Sequence, residues 1–427
     1  MLGYLDVGDK VKTTAGTVTI VGQPLDGGEG AGYKATLDGN TVFYKQFRNF
    51  DYPPAGFANN DDLMKHIHKR VEWLVDARLD RLGPFFNAPF AMSTDSKRPG
   101  YVCSWIDGLV PWSDWRGKDH RYGERVCFVG NLGSMLHTLH SRGISHGDIN
   151  AKNVCIMGSN EALQVILIDF GNSFNGDPSL RPVMSNDCEH ISPWLDAGKG
   201  MADTHSDLYA FGVMTYEALL GRNIDAGGLD ENDMNARRAR GTLPGDPLCG
   251  TRLDADGRGL PFTSLSPSLQ TALRGLLSPD PGLQPTAQTF MTTLADELQN
   301  NHLMICPKCK SPFWWHTGLT VSPCCKATRV PPALQVQLPG GRVIPLHNNL
   351  SLGRNELPGN PYLSTRHLVV QPAHPGVARV YVTGRNGMTL ITGGKRFHVT
   401  PEATGGVLVK PNDHLEFQDI RIDFLAA

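Results

Sequence analysis

Two acids and an amide near the middle of the chain have the types and spacing that phosphoryl transfer requires. Asp148 and Asn153 lie five residues apart in the stretch HGDINAKNVCI, and Asp169 follows the apolar run VILI. A carboxylate is costly to bury without a partner, and a hairpin between the two stretches would bring the three side chains together. One acid could then orient a hydroxyl group while the other acid and the amide hold Mg²⁺, because hard oxygen ligands suit this ion. Ordinary loop polarity is the alternative.

A glycine-rich turn and a lysine upstream could handle phosphates. Gly27, Gly28 and Gly30 lie in LDGGEGAGYKA, between two strand-like runs, where their backbone N–H groups could approach phosphate oxygens. Lys45 follows in the apolar strand pattern TVFYKQF and needs a carboxylate partner if it is buried. Glu72, in the next helical pattern, is the candidate partner. The alternatives are a flexible hairpin turn, a solvated lysine and a surface glutamate.

Four cysteines clustered within twenty positions predict a structural zinc site. Cys306 and Cys309 form the knuckle CPKC, and Cys324 and Cys325 follow as PCC. Two thiolates at i and i+3 can bind one tetrahedral Zn²⁺, and a second pair of ligands completes the site. Adjacent cysteines are a less favourable second pair, so His316 is a possible substitute for one of them. The fourth ligand is left open.

Bulk composition limits the classes of partner and compartment. The formal charge is −2, from 40 basic and 42 acidic residues, so charge does not indicate nucleic acid or an anionic membrane as a partner. The N-terminus lacks a basic region followed by an apolar run, and the chain lacks an apolar stretch of about 18 residues. An odd count of nine cysteines fits a reducing compartment. We therefore expect a cytoplasmic protein without a membrane or nucleic-acid partner.

The elements that position these residues separate into three segments, so the fold class is multidomain. Residues 1–300 begin with alternating strand patterns and continue with helical periodicity, which predicts an α+β fold with two lobes. Residues 304–328 are too short for a core without a metal and are assigned to the zinc ribbon. Residues 334–427 contain short strands broken by Gly, Pro and Asn, which predicts an all-β sandwich.

Over residues 10–300 the ordered motifs resemble the protein-kinase signature: the glycine turn, the strand lysine, HGD with Asn five residues on, and DFG. The GGEG form of the turn is similar to that of soluble bacterial kinases of the eukaryotic type. The resemblance implies ATP and Mg²⁺ as cofactors. It further implies that Asp207, in HSDLYAFG, anchors the catalytic loop. The remaining implied roles are phosphate covering by Gly27, Gly28 and Gly30, phosphate positioning by Lys45 with Glu72, adenine binding by the backbone of Ser104 and Ile106, deprotonation of the substrate hydroxyl by Asp148, and Mg²⁺ binding by Asn153 and Asp169.

Some positions depart from the kinase pattern. Leu25 replaces the first glycine of the usual turn, and Gly32 replaces the valine that packs on adenine. Gly147 occupies the position at which most protein kinases carry an arginine that binds a phosphate on the activation segment. Its presence argues against control by phosphorylation of that segment. Gln284 replaces the arginine of a buried ion pair, whose acidic partner is also absent. We expect a remodelled substrate-docking region.

Residues 334–427 resemble a forkhead-associated (FHA) domain. The motifs are Gly353-Arg354, Ser364-x-x-His367 and Asn386-Gly387. In that family the Arg and Ser, here Arg354 and Ser364, bind a phosphothreonine phosphate, and the Asn, here Asn386, holds the ligand backbone. We expect His367 to be a structural hydrogen-bonding residue. A guanidinium and a hydroxyl at one end of a rigid sandwich would form a small anion-binding site.

The three segments together predict an ATP- and Mg²⁺-dependent Ser/Thr protein kinase that transfers the γ-phosphate to protein hydroxyls and recognises phosphothreonine through its own FHA domain. A pseudokinase with an FHA scaffold role and a small-molecule phosphotransferase are the alternatives. The architecture resembles kinases of bacterial stress-response cassettes, such as those linked to tellurite resistance. That resemblance implies protein substrates, phosphothreonine-containing partners, a partner phosphatase and a von Willebrand-type domain protein.

Overall fold

The computed structural model describes residues 4–49, 53–54, 56–183, 190–196, 202–222, 224, 236–243, 246, 259–300, 302–326, 328–357 and 360–427. The chain divides into two compact units, Met1–Gly259 with Ala272–Met291, and Leu260–Thr271 with Thr292–Ala427. The domain boundaries expected from the sequence stay predictions.

An antiparallel sheet begins the first unit. Its strands are β1 (Lys10–Thr13), β2 (Gly16–Ile20), β3 (Leu25–Asp26), β4 (Gly30–Leu37), β5 (Asn40–Phe47), β6 (Ala91–Met92) and β7 (Gly100–Ser104), in the order β1-β2-β4-β5-β7-β6 with β3 paired to β4. Asp38 and Gly39 both have positive φ, 48° and 80°, and connect β4 to β5 as a two-residue hairpin turn. That turn fixes the register that pairs Gly32 with Lys45.

Helix α1 (Asn60–Asp76) packs against this sheet. The side chain of Asn59 accepts a hydrogen bond from the Asp62 amide and so caps the first turn. The inward face repeats with helical period and comprises Leu63, Met64, Ile67, Arg70, Val71 and Leu74. An arginine in this otherwise apolar face is unexpected, because a buried guanidinium requires hydrogen-bond acceptors.

Helices dominate the rest of the first unit. They are α2 (Trp112–Trp115), α3 (Tyr122–His140), α4 (Pro193–Asp196), α5 (Thr204–Leu220), α6 (Pro267–Leu276) and α7 (Ala287–Gln299), with α6 and α7 extending into the second unit. Helix α5 buries every residue from Ser206 to Leu220, so it is the central helix of this part. The small sheet of β8 (Val110–Pro111), β9 (Val154–Met157) and β10 (Gln164–Leu167) carries the loops of the candidate site. The α+β arrangement predicted from the sequence is confirmed.

The second unit contains a short hairpin and a β-sandwich. The hairpin pairs β11 (Leu303–Ile305) with β12 (Pro312–Trp314). A six-stranded sheet consists of β13 (Gln335–Gln337), β14 (Val343–Pro345), β18 (Met388–Thr392), β19 (Lys395–Val399), β21 (His414–Phe417) and β22 (Ile420–Leu425). A four-stranded sheet consists of β15 (Leu350–Leu352), β16 (Leu368–His374), β17 (Val377–Val382) and β20 (Val407–Val409). Side chains of both sheets share one apolar core, as the sequence predicts. Among the described residues, no helix carries an apolar run long enough to cross a bilayer.

Candidate active site

Lys45 lies at the centre of the candidate site. Strand β5 holds it between Gly32 of β4 and Tyr101 of β7. Its Nζ atom lies 2.7 Å from Asp169 Oδ1 and 2.9 Å from Glu29 Oε2, and its side chain is only 10% exposed. Burial lowers the pKa of Lys45, but the charges of Asp169 and Glu29 more than offset this effect and raise that pKa above its ordinary value. The lysine is therefore held as a cation by two acids.

Glu72 is not where the sequence analysis expects it. It lies on the exposed face of α1, while the carboxylate next to Lys45 comes from Glu29 of the glycine-rich turn. The physical reason is the rotation of the helix: its apolar positions face the sheet, which turns Glu72 outward and Arg70 inward. The expected pairing of Lys45 with Glu72 is therefore wrong. The sequence signal for the actual partner was the acid between the glycines of GGEG.

The catalytic-loop motif is held by α5. Asp207 accepts hydrogen bonds from the backbone N–H of His146 at 2.7 Å and of Gly147 at 2.9 Å. Its carboxylate also lies 3.0 Å from His140 Nε2. The anchoring role expected for Asp207 is thus confirmed. Gly147 adopts φ 78°, and a Cβ there would overlap the carbonyl oxygen of Asn172, so this backbone suits glycine.

Asp148 and Asn153 contact each other directly. The Asn153 amide nitrogen donates to Asp148 Oδ2 at 2.8 Å, and the Asn150 amide nitrogen donates to Asp148 Oδ1 at 2.8 Å. Burial raises the pKa of Asp148 to about 7; the hydrogen bond from Asn150 opposes the rise and the charge of Asp169 adds to it. A carboxylate with this pKa can accept a proton near neutral pH, as a general base does.

Asp169 joins the lysine to the catalytic loop region. It adopts φ 57° at the start of the turn Phe170–Asn172. Its carboxylate accepts from both Lys45 and the hydroxyl group of Tyr101, which lies 2.9 Å from Oδ1. Burial tends to raise the pKa of Asp169, but Lys45 outweighs burial and lowers that pKa, so the group stays anionic. The sequence analysis missed Tyr101, which reads as an ordinary core residue of β7.

The donor set of this site fits Mg²⁺. The Asn153 nitrogen is committed to Asp148, so its amide oxygen is the atom that it presents to a cation. Asp169 supplies anionic carboxylate oxygens, and both are hard ligands. Binding of the ion by this pair stays a prediction.

A cavity with a volume of about 250 Å³ lies beside Asp169. The ring of Phe43 lies where a Cβ at Gly32 would project, so this ring fills the space of a larger side chain on β4. The lining residues are Phe43, Asn87, Tyr101, Cys103, Ser104, Trp105, Ile106, Leu109, Asn153, Ile168 and Asp169. Ser104 and Ile106, whose backbone is expected to bind adenine, thus line this cavity.

The glycines of the turn have different surroundings. Gly27 and Gly28 are exposed, and the Gly27 N–H donates to the Gly30 carbonyl at 3.0 Å. Gly30 is buried, and a Cβ there would overlap the backbone of Gln46 on β5. Gly30 therefore serves close strand packing, while Gly27 and Gly28 are exposed and their contact with phosphate stays a prediction.

The four clustered cysteines converge. One Sγ atom from each of Cys306, Cys309, Cys324 and Cys325 lies within 4.8 Å of all the others. Tetrahedral Zn²⁺ with Zn–S bonds of 2.3 Å requires Sγ separations of about 3.8 Å. The pair Cys306–Cys325 is at 3.7 Å and Cys309–Cys324 at 3.3 Å, so the donor set fits zinc. His316 instead contacts the Thr317 carbonyl, so it is not needed as a substitute ligand.

Loops at one end of the sandwich bring together the residues expected to bind phosphothreonine. Arg354 donates to the Leu363 carbonyl, and its backbone N–H donates to the Ser364 carbonyl at 3.0 Å. The Asn386 amide donates to the Tyr362 carbonyl at 3.0 Å. Arg354 and Asn386 are exposed and Ser364 is half-buried.

His367 supports this set of loops from within the sandwich. It is fully buried, accepts from the Ser364 N–H at 3.2 Å and contacts the Gly387 carbonyl. Its expected structural role is confirmed.

Comparison with known proteins identifies one part of the chain. Residues 122–294 match the model of the protein kinase domain. The chain is 30% identical over 138 residues to the Serine/threonine-protein kinase Pkn1 and 33% identical over 135 residues to pkn2, both from Myxococcus xanthus. These matches cover 31% and 30% of this chain, but only 20% and 16% of the relatives. Residues 122–294 are therefore similar to protein kinase domains, and the chain spans about a fifth or less of the length of these two Ser/Thr kinase relatives.

Other similarities are more distant. Aurora kinase A-B from Xenopus laevis is 32% identical over 97 residues, which is 23% of each chain. The solved kinase domain of PknI from Mycobacterium tuberculosis is 16% identical, with a TM-score of 0.44, over 69% of this chain and 99% of that chain.

Proposed function

We propose that the protein is an ATP- and Mg²⁺-dependent Ser/Thr protein kinase that transfers the γ-phosphate to protein hydroxyls. The observation that carries this proposal is that Asn153 and Asp169 line one cavity, while Lys45 contacts Asp169 and Asp148 contacts Asn153. The match to the protein kinase domain and the Ser/Thr kinase relatives support it.

The residues divide the chemistry between them. Lys45 contacts and orients the nucleotide phosphates, and the exposed backbone of Gly27 and Gly28 covers them. Asp148 accepts the proton of the substrate hydroxyl group at its carboxylate, for which a pKa of about 7 is suitable. Asn153 and Asp169 would hold Mg²⁺, which would supply positive charge to neutralise the phosphate groups. Most of the rate enhancement comes from positioning and electrostatic stabilisation.

We propose in addition that residues 334–427 are an FHA domain that binds phosphothreonine through Arg354, Ser364 and Asn386. The convergence of their loops supports this. A reader fused to a kinase raises the local concentration of phosphorylated substrate without any new contact in the active site. We further propose that Zn²⁺ is structural, because all four cysteines are used and no open coordination position results.

Compartment and partners complete the proposal. None of the cysteines at described positions forms a disulfide, which fits the cytoplasmic compartment expected from the sequence. The partner phosphatase and the von Willebrand-type protein stay predictions from the resemblance of architecture alone.

Phosphate transfer tests the first proposal. Wild-type protein incubated with Mg²⁺ and γ-labelled ATP should label itself or a protein substrate, and Asp148→Ala should abolish labelling while it retains nucleotide binding. Wild-type protein that binds ATP but labels no protein would support the scaffold alternative. Preferential labelling of a sugar or an aminoglycoside would support a small-molecule phosphotransferase.

Peptide binding tests the second proposal. Arg354→Ala should remove binding of a phosphothreonine peptide measured by calorimetry. Arg396→Ala is a matched control, because Arg396 is also an exposed arginine of the sandwich but pairs with Glu416. Equal affinity for the phosphorylated and unphosphorylated peptide would refute an FHA function.

A further inference from the structure

The carboxylate that holds Lys45 is fixed at both of its oxygens. Glu29 Oε2 accepts from Lys45 Nζ at 2.9 Å, and Glu29 Oε1 accepts from the Asn172 amide at 3.0 Å. The Glu29 side chain is 16% exposed, so these bonds lie in a partly desolvated region where charge-assisted hydrogen bonds are strong. Glu29 therefore links the glycine-rich turn to Lys45 and to the segment that follows Asp169.

The backbone at Glu29 is held as firmly as its side chain. The Glu29 carbonyl accepts from the Arg48 N–H at 3.2 Å, and the Arg48 guanidinium donates to the Gly28 carbonyl at 3.1 Å. The next residue, Gly30, packs so closely on β5 that only glycine fits. Glu29 thus lies at the fixed base of β4 and not at the open tip formed by Gly27 and Gly28.

The buried face of helix α1 carries Arg70, a cation, whereas a carboxylate on that face would be needed for the helix to pair with Lys45. Arg70 is buried and donates to the carbonyls of Gly171 at 2.7 Å, Ser173 at 3.1 Å and Leu180. Neighbouring positions add contacts, because Lys69 reaches the Ser179 hydroxyl and His66 reaches the Arg181 carbonyl. These partners are backbone and neutral groups, so the attachment of α1 to this segment requires no phosphate.

We infer that Glu29 is the positioning carboxylate for Lys45, and that Arg70, together with Lys69 and His66 of α1, instead fastens the segment after Asp169. The inference rests on the proposed function. In this arrangement the glycine-rich turn completes the phosphate-binding site. Lys45 points towards the phosphates when Glu29 of that turn contacts both Lys45 and Asn172. Arg70 keeps α1 and the segment together independently of phosphorylation.

The same geometry has an opposite interpretation, which an experiment separates. If Glu29 occupied the place of the nucleotide phosphates, its charge would repel them, and its removal would raise nucleotide affinity and activity. If Glu29 positions Lys45, its removal leaves the lysine less well aimed and lowers activity. The two interpretations differ in the sign of the effect.

The experiment compares Glu29→Gln with Glu72→Gln in the full chain. Both changes replace a carboxylate by an amide, but Glu72 lies on the exposed face of α1. The readouts are kcat and KM for ATP, nucleotide affinity by fluorescence of a labelled ADP, and the unfolding temperature. We expect kcat/KM to fall about 100-fold in Glu29→Gln, mainly through kcat, with nucleotide affinity about fivefold weaker. Glu72→Gln should stay within about twofold of wild type, as expected for an exposed site.

Asn172→Ala gives a second readout in case Glu29→Gln folds poorly. It leaves Lys45 and Glu29 in place but frees Glu29 Oε1, so we expect a loss of kcat/KM of about fivefold in the same direction. Unchanged kinetics in both Glu29→Gln and Asn172→Ala would overturn the inference. So would higher activity or tighter nucleotide binding in Glu29→Gln, or an equal loss in Glu72→Gln. Wild-type protein without phosphate transfer would refute the proposed function instead, and nucleotide affinity of Glu29→Gln relative to Glu72→Gln would still decide the role of Glu29.

Discussion

The free energy of unfolding of the Asp148→Asn variant should rise relative to that of wild type as the pH increases. The size of this rise is set by the raised pKa of Asp148. Burial raises the pKa of Asp148 from 3.8 to about 7. The folded state therefore keeps a proton that the unfolded state has already released between these two values. Stability from this group is fully present below pH 3.8 and is lost as the pH rises towards about 7. An asparagine at this position does not titrate, so Asp148→Asn lacks this loss.

The size of the effect follows from the pKa shift. Each unit of pKa difference corresponds to about 1.4 kcal/mol. Between pH 5 and pH 8, wild type should lose about 3 kcal/mol of unfolding free energy relative to Asp148→Asn. For a unit of the size of Met1–Gly259 with Ala272–Met291, this equals about 5 °C in Tm. Hydrogen bonds that the amide makes less well with Asn150 and Asn153 add a constant cost, which cancels when the two pH values are compared.

The assay is thermal unfolding of both proteins in EDTA, without nucleotide, at intervals from pH 5 to pH 8. The difference in Tm between the variant and wild type should increase by about 5 °C over this range. Asp119→Asn is the control, because Asp119 is an exposed carboxylate of the same unit and should show a constant difference. If the difference in Tm between Asp148→Asn and wild type does not change with pH, the pKa of Asp148 is not raised by folding, and the prediction is refuted.

Three further outcomes are expected from the same contacts. Asp207→Asn leaves one of the N–H groups of His146 and Gly147 without its acceptor. We therefore expect the free energy of unfolding in urea to fall by about 3 kcal/mol and phosphate transfer to be lost. Retention of both would contradict the anchoring role. Gly147→Ala combines a positive φ with overlap on Asn172 and should cost about 3 kcal/mol in the same assay, whereas neutral behaviour would show that the loop relaxes. Cys309→Ser should lower bound zinc from one per chain, measured by atomic emission, and should lower the Tm of the second unit; unchanged zinc would remove Cys309 from the site.

Local sequence patterns were sufficient to identify some of the residues that can carry chemistry, but not Glu29 or Tyr101. The spacing of Asp148 and Asn153, and the position of Asp169 after a buried strand, predict a common site because one hairpin connects them. The alternating pattern of residues 334–427 predicts a sandwich for a similar reason, since strand period and turn residues are local properties. In the structure, the two sheets share one core and Asn153 and Asp169 line one cavity, while the chemical roles of these residues stay predictions.

Other features depended on long-range geometry. The question of a fourth zinc ligand was open in the sequence, because two adjacent cysteines can share a metal only if their turn directs both Sγ atoms inward. The structure brings Cys324 and Cys325 within reach of the other two thiols and leaves His316 outside. The hydrogen bond from Tyr101 to Asp169 likewise depends on β5 and β7 being neighbours, which no short motif encodes.

The sequence by itself determined that Lys45 needs a carboxylate, because a buried ammonium group without one is too costly. Only the tertiary structure decided which carboxylate it is. Only one residue separates the inward Arg70 from the outward Glu72, and the rotation of α1 about its axis is set by packing of its whole apolar face on the sheet. Glu29 instead reaches Lys45 because β4 and β5 are paired in a register fixed by their hairpin. Residue types establish the electrostatic requirement, whereas packing and strand register select the residue that meets it.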